Sequence, residues 1–149
     1  MNFGWFDDEK REYVITDTRT PVKWINYIGS LGFGGFVDQT GGGVLCKGDP
    51  ALNRITRYND QSPASDFRAQ TLYIRVHDDQ EYHIFSPLYV PTLDAFDRYE
   101  CRVGLGYTRF VTEFYGIQTE ITVFIPQAGS CELRLIRVTN CREDRQSVV

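Results

Sequence analysis

Hydrophobic and polar residues alternate along most of this chain with a period of two. In residues 117–125, four aliphatic side chains fall on one face, whereas Gln118 and Glu120 fall on the other. Successive side chains of a β-strand point to opposite faces of the sheet, so this pattern predicts a half-buried strand. A helical period of 3.6 is almost absent from the chain.

The same reasoning predicts a succession of short strands joined by turns. The predicted strands cover residues 12–16, 34–38, 44–46, 53–58, 71–76, 82–86, 107–115, 117–125 and 131–138. Residues that favour turns separate them at 48–50, 59–60, 78–79, 115–116 and 127–129. The alternation in residues 131–138 changes phase near Ile136, which predicts a β-bulge or a strong twist there. Only residues 92–99, where Asp94 could cap a single turn, suggest a helix.

Many short strands at this spacing are typical of an all-β fold, an antiparallel β-sandwich. A chain of 149 residues with 42% hydrophobic content can bury one core, so residues 1–149 are assigned to one partial β-sandwich domain. The sequence stops after a polar turn and the apolar pair Val148 and Val149, which resembles the start of another strand. Because a sheet ending there would leave an unpaired edge, we expect the sandwich to be truncated.

Composition argues against several partners. The formal net charge of −4 and the scattered arginines give no basic surface for nucleic acid. No apolar stretch approaches the roughly 20 residues needed to cross a bilayer, so we expect no membrane association. Asp7, Asp8 and Glu9 lie where a signal peptide would be apolar, and we therefore expect a cytoplasmic protein.

Candidate catalytic and metal-binding chemistry is sparse. The four cysteines have no paired spacing and are expected to be thiols rather than zinc ligands; they are Cys46, Cys101, Cys131 and Cys141. His77 and His83 flank an acidic segment that could in principle bind metal, but a turn between paired strands explains it with nothing bound. We expect no catalytic residue, no metal and no cofactor in this chain.

Several segments, taken in order, resemble the N-terminal domain of the family 94 glycoside phosphorylases, which include cellobiose, cellodextrin and chitobiose phosphorylases. The similar segments are residues 3–16, 21–29, 41–43, 53–58, 72–75, 85–87, 101–108, 116–120 and 124–126. The resemblance implies the first part of a large β-sandwich, followed in the family by a helical linker and a catalytic (α/α)6 barrel that this chain lacks. It also implies a homodimer in which this domain packs near the partner's active site.

The activity implied by the resemblance is phosphorolysis of a β-linked disaccharide or oligosaccharide with inversion, giving an α-sugar 1-phosphate. One carboxylic acid would protonate the departing oxygen, and inorganic phosphate would replace the attacking water of an inverting hydrolase. The resemblance implies that both functions belong to the barrel, so the isolated chain is expected to be inactive, and the open sheet edge is expected to make it poorly soluble. Residues 44–50 differ from the aromatic sequence that follows the glycines 41–43 in many members of the family. The resemblance therefore does not identify the sugar.

Two groups of residues are candidates for contact with sugar. Trp24, Asn26 and Tyr27 place aromatic rings beside an amide, a combination that stacks on a pyranose and binds its hydroxyls. The alternative is that they anchor the core and a loop. The second group is three consecutive glycines, which could admit a ligand or an adjacent chain or could form a tight reversal between strands; they are Gly41, Gly42 and Gly43.

Two functional classes remain open from the sequence. The first is the N-terminal sandwich of a glycoside phosphorylase, serving folding, dimer packing and the rim of the active site. The second is a non-catalytic β-sandwich that binds carbohydrate or protein. An exposed line of aromatic rings would favour the second class, and the aromatic residues here are spread through alternating positions that favour the first.

Overall fold

A computed structural model describes residues 2–58, 71–78 and 81–143, and these residues form eleven β-strands. No described residue lies in a helix, so none belongs to a helix that could cross a membrane. The strands are β1 Gly4–Asp7, β2 Glu12–Ile15, β3 Ile25–Gly29, β4 Gly34–Asp38, β5 Gly43–Cys46, β6 Ile74–Asp78, β7 Glu81–Phe85, β8 Arg98–Gly104, β9 Tyr107–Phe114, β10 Ile117–Phe124 and β11 Leu133–Asn140.

The strands form three antiparallel sheets. The large sheet has six strands in the order β1-β2-β8-β9-β10-β11, and the small sheet has three in the order β3-β4-β5. Strands β6 and β7 form a separate hairpin. The predicted all-β antiparallel sandwich is therefore confirmed.

The small sheet and the hairpin cover different parts of one face of the large sheet, here called the inner face. Ile28 and Val37 of the small sheet share a buried cluster with Phe110 of the large sheet. Phe85 of the hairpin shares a second cluster with Ile117. Burial of these apolar side chains on two layers gives the sandwich its core.

The opposite face of the large sheet carries a network of charged side chains. Glu12 is 3% exposed, and its carboxylate accepts hydrogen bonds from Arg102 Nη1 at 3.0 Å and Arg109 Nη2 at 2.8 Å. Tyr107 donates its hydroxyl to the same carboxylate at 2.7 Å, and Arg102 also contacts Asp7 at 3.0 Å. Each buried charge is thus paired, which a charge removed from water requires.

The helix suggested for residues 92–99 is wrong. Leu93 donates its N–H to the carbonyl of Tyr89 at 2.8 Å, which closes one turn. Tyr89 and Leu93 both have left-handed φ angles, of 77° and 59°, which a right-handed helix cannot contain. Residues 92–97 form a loop, and residues 98 and 99 begin strand β8. The sequence patterns did not predict strands β1, β3 and β8.

Two further predictions about strands are corrected. Residues 53–58 form no strand; their one ladder contact is an isolated bridge between Arg54 and Cys46. No bulge occurs in β11, which pairs with β10 in continuous register from Leu133 to Asn140, whereas the strong twist that was the alternative stays a prediction. The predicted turn at residues 59–60 and the apolar pair at residues 148–149 lie outside the described residues.

Candidate functional site

Asn26 joins the small sheet to the large one. It lies on the inner side of β3, and its Nδ2 atom donates to the carbonyls of Gly104 at 3.2 Å and Tyr107 at 2.8 Å. The same nitrogen lies 3.1 Å from Thr108 Oγ1. Asn26 is one of the predicted sugar contacts, but in the structure its amide nitrogen binds acceptors of the large sheet. These hydrogen bonds hold the two sheets together.

Trp24 packs against the core beside the start of β3. Its ring centroid lies 5.8 Å from that of Phe3 and 6.0 Å from that of Tyr13. Its backbone N–H donates to Gln39 Oε1 at 2.9 Å. Trp24 thus anchors the connection between β2 and β3, which agrees with the alternative that this residue anchors the core. Sugar contact by Trp24 stays a prediction.

The three glycines form a tight, buried reversal between β4 and β5. Gly41 has a φ of +89°, and a β-carbon there would lie 2.5 Å from the β-carbon of Leu88. Gly42 donates its N–H to Asp38 Oδ1 at 3.1 Å, and a β-carbon on it would lie 2.8 Å from Asp38 Oδ2. Gly43 begins β5 and pairs with Val37. Internal packing therefore accounts for Gly41 and Gly42.

A buried ion pair lies beside this reversal. Lys23 Nζ is 3.2 Å from Asp38 Oδ2, and the two side chains are 13% and 1% exposed. Lys23 also donates to the hydroxyl of Thr40, which in turn binds Asp38 Oδ1 at 2.8 Å. The pair fixes the end of the connecting segment against the small sheet.

Tyr27 occupies the opposite, outward face of the small sheet. It is 73% exposed, and its ring meets that of Phe36 edge to face at 6.1 Å. Phe36 in turn meets Tyr58 at 4.9 Å. We call Tyr27, Phe36 and Tyr58 the aromatic face. Local sequence patterns missed Phe36 and Tyr58, because only the pairing of Tyr27 with Phe36 and the return of the chain to Tyr58 bring the rings together.

A cavity of about 620 Å³ adjoins the aromatic face. Phe36, Tyr58, Ile25 and Lys23 line part of its wall. Aromatic rings beside a charged donor are the groups that bind the apolar face and the hydroxyls of a sugar. Among the sequence-predicted sugar contacts, Tyr27 lies next to this cavity through its ring contact with Phe36 but does not line it, and sugar contact by Tyr27 stays a prediction.

The described residues contain no cluster of histidine, cysteine, aspartate and glutamate able to hold a metal ion. His83 stacks on Tyr115 with ring centroids 4.1 Å apart.

Burial alone would raise the pKa of Glu12, but hydrogen bonds from Tyr107, Arg102 and Arg109 outweigh it and lower that pKa. Glu12 is therefore a charged structural carboxylate at neutral pH rather than a proton donor.

Comparison with known proteins gives the family. The family described as "Glycosyl hydrolase 94, supersandwich domain" matches residues 11–148. The chain belongs to this family. The matched part of the chain runs from just before β2 to beyond β11, so it contains both the aromatic face and the glycine reversal.

Proteins similar to this supersandwich domain are phosphorylases. An N,N'-diacetylchitobiose phosphorylase of Vibrio proteolyticus is 29% identical over 99% of the chain and 18% of its own length. A 3-O-beta-D-glucopyranosyl-beta-D-glucuronide phosphorylase of Paenibacillus borealis is 33% identical over 93% of the chain and 16% of its own length. A solabiose phosphorylase of Paenibacillus borealis is 31% identical over 93% of the chain and 18% of its length. The chain thus spans less than a fifth of these relatives.

Proposed function

We propose that this supersandwich domain belongs to an inverting glycoside phosphorylase as its N-terminal domain. The observation that carries the proposal is the family match across residues 11–148, together with relatives that are all phosphorylases. The parent enzyme would cleave a β-linked disaccharide or oligosaccharide with inorganic phosphate and release an α-sugar 1-phosphate. The names of the relatives differ in their sugars, so the proposal stops at this substrate class.

The proposed reaction needs a carboxylic acid to protonate the departing glycosidic oxygen and a site that orients phosphate opposite to it. The charged state of Glu12 and its three hydrogen-bond donors argue against an acid role for the most buried carboxylate of the charged network. We therefore assign both functions to the (α/α)6 barrel of the parent enzyme. The 149-residue chain would then bind but not cleave sugar.

The role proposed for the domain is to form part of the active-site rim and to pack in a homodimer. The exposure of Tyr27, its edge-to-face contact with Phe36 and the adjacent cavity support a rim in which Tyr27 stacks on an oligosaccharide. The glycine reversal and the Lys23–Asp38 pair would hold this surface in place. We also propose a cytoplasmic location, which the free thiols of all four cysteines favour.

The rim role is tested in the polypeptide encoded by the complete reading frame that contains this chain. Tyr27→Ala should raise KM for the oligosaccharide about fivefold to tenfold, since stacking on one ring contributes about 1–1.5 kcal/mol, and should leave kcat nearly unchanged. Tyr73→Ala is the matched control, because Tyr73 is 49% exposed and lies next to the hairpin. Unchanged KM in Tyr27→Ala would contradict the rim role. Light scattering of both variants shows separately whether Tyr27 supports the dimer.

A further inference from the structure

A second cavity lies between the segment that follows β2 and the loop that precedes β8. Its volume is about 440 Å³, within the range of about 300–1,000 Å³ that is usual for small-ligand sites. Its lining includes Asp17, Arg19, Tyr89, Asp94, Phe96 and Tyr99. Neither the family match nor the resemblance assigns a function to it.

Aromatic rings form the back of this cavity. Phe96 and Tyr99 are stacked at 5.6 Å with an interplanar angle of 21°, and Tyr89 lies 6.4 Å from Phe96 and 6.2 Å from Tyr99. Tyr99 donates its hydroxyl to the carbonyl of Gln39 at 2.6 Å, which fixes its ring. The rings therefore form a pre-organised wall against which the apolar face of a pyranose can pack.

A planar ion pair forms the rim. Arg19 Nε and Nη2 donate to the two carboxylate oxygens of Asp17 at 3.0 and 3.2 Å. Hydrogen bonds from the side chain and the backbone N–H of Arg19 lower the pKa of Asp17, so the carboxylate is charged at neutral pH. The Arg19 side chain is 82% exposed and has five N–H groups, so donors beyond the two bound to Asp17 are accessible to a ligand.

Asp94 supplies an acceptor that lacks a donor. Its Oδ2 atom is buried and has no hydrogen-bond partner in the part of the chain that the structure describes. An unsatisfied buried acceptor is costly, and a hydroxyl group of a ligand in the adjoining cavity could satisfy it after a small rotation of the side chain. This feature of the cavity points to a ligand that donates hydrogen bonds.

The loop that carries these residues is held in an unfavourable conformation. Tyr89 and Leu93 have φ angles of 77° and 59°, a region that side chains other than glycine rarely adopt. Ser86 fixes the loop through its hydroxyl, which donates to the carbonyl of Val90 at 2.8 Å, and through its N–H, which donates to Thr92 Oγ1 at 3.0 Å. Such strain persists where the surrounding structure maintains it and is concentrated at functional sites.

Charge narrows the class of ligand. Among residues 2–58, 71–78 and 81–143, the charged groups that line the cavity are Asp17, Arg19 and Asp94, so two carboxylates face one guanidinium and leave one net negative charge. This balance disfavours free phosphate and sugar phosphates, which need an excess of donors and positive charge. It suits a neutral, hydroxyl-rich ligand.

We propose that this cavity is a binding subsite for one sugar unit of a neutral β-linked saccharide, separate from the aromatic face. Phe96 and Tyr89 would pack on the sugar ring, Arg19 would donate to its oxygens, and Asp94 would accept from a hydroxyl group. The proposal rests on the proposed function for the choice of saccharide. The site itself is defined by the cavity, its rings and the unsatisfied carboxylate.

The test is hydrogen–deuterium exchange of the polypeptide encoded by the complete reading frame, titrated with cellobiose and read by mass spectrometry. We expect saturable protection of peptides that cover residues 16–19 and 89–96. Equal concentrations of inorganic phosphate and glucose 1-phosphate should give weaker protection or none in these peptides. Absence of saturable protection near the solubility limit of cellobiose, or protection confined to other peptides, those of the aromatic face included, would overturn the proposal.

Two variants separate binding from stability. Arg19→Ala and Asp94→Ala should each weaken cellobiose binding at least about fivefold, the effect of one net hydrogen bond. Asp94→Ala should leave Tm unchanged or raise it, because it removes an unsatisfied acceptor, whereas a purely structural aspartate would lower Tm and leave binding intact. Arg137→Ala is the matched control, since Arg137 is 76% exposed on β11. Failure of phosphorolysis by the parent enzyme would refute the proposed function without altering the protection of these peptides.

Discussion

Gly41 lies so close to Leu88 that a β-carbon on the glycine would come within 2.5 Å of the leucine β-carbon. This contact joins the reversal between β4 and β5 to the loop that precedes β8. The cavity beside the aromatic face borders residues 21–23 of the segment that connects β2 to β3. The second cavity borders residues 16–19 of the same segment and the loop that precedes β8. The contact therefore holds together the end of the sandwich where the two proposed sites lie.

Gly41→Ala should destabilise the domain for two reasons. A left-handed φ costs a residue with a side chain about 1–2 kcal/mol, and overpacking against Leu88 adds about 1–3 kcal/mol. Gly48→Ala is the control, because Gly48 has a φ of +64° but no atom within 4 Å of the added carbon. Urea unfolding should show a clearly larger loss for Gly41→Ala. Equal losses in the two variants would show that the contact with Leu88 is unimportant.

Glu12→Gln should cost about 1–3 kcal/mol of unfolding free energy, because it replaces charged hydrogen bonds to Arg102 and Arg109 by neutral ones, while Arg102 keeps its pairs with Asp7 and Glu100. Glu113→Gln alters an exposed pair with Arg98, whose side chains are 39% and 43% exposed, and should cost less than about 1 kcal/mol. Both glutamates lie on the same face of the large sheet, which makes the comparison direct. A small loss for Glu12→Gln would contradict a stabilising role of the network.

Stability should fall as the pH drops below about 4.5, the ordinary pKa value of a glutamate. Burial would raise the pKa of Glu12, but its hydrogen bonds lower the value below that of the unfolded chain. The unfolded chain then binds more protons through this window, so the contribution of Glu12 is complete above pH 4.5 and is lost as pH falls through the folded pKa. Between pH 3 and pH 6, the free energy of unfolding should depend less steeply on pH in Glu12→Gln than in the unaltered protein. An unchanged pH dependence would exclude Glu12 as a source of it.

Strand β11 lies at one edge of the large sheet in the described part of the chain and carries exposed apolar residues on both sides. Leu135 and Ile136, which point to opposite faces, are 61% and 48% exposed. An exposed apolar edge strand pairs readily with other chains, so the isolated chain should associate as its concentration rises. Leu135→Lys should reduce the mass measured by light scattering. Leu31→Lys, at a loop residue that is 97% exposed, should not, and equal effects would exclude β11 as the site of association.

Alternation predicted the strands whose two faces differ most in burial. Strand β10 alternates between buried and half-buried residues along its whole length, and the sequence shows the same alternation. Strand β8 was missed although apolar residues alternate there with charged ones such as Arg102. Their partner Glu12 is 90 residues away in the chain, and no local pattern shows that the charges will be paired. The phase change in β11 reflects exposure on both faces, where burial no longer selects one period.

The candidate site was less predictable than the fold for a related reason. Aromatic and amide side chains at Trp24, Asn26 and Tyr27 were visible in the sequence, but their roles depend on which face of β3 they occupy. Asn26 points inward to the turn between β8 and β9, and Tyr27 points outward to Phe36. Sheet register decides between these orientations, and register is set by contacts distant in sequence.

The most direct test of the account is ³¹P NMR of the polypeptide encoded by the complete reading frame, incubated with inorganic phosphate and a panel of β-linked disaccharides. We predict that cleavage requires phosphate and produces an α-sugar 1-phosphate, whereas the 149-residue chain alone produces none. Cleavage to free sugars without phosphate, a β-sugar 1-phosphate, or no cleavage of any disaccharide would contradict the account.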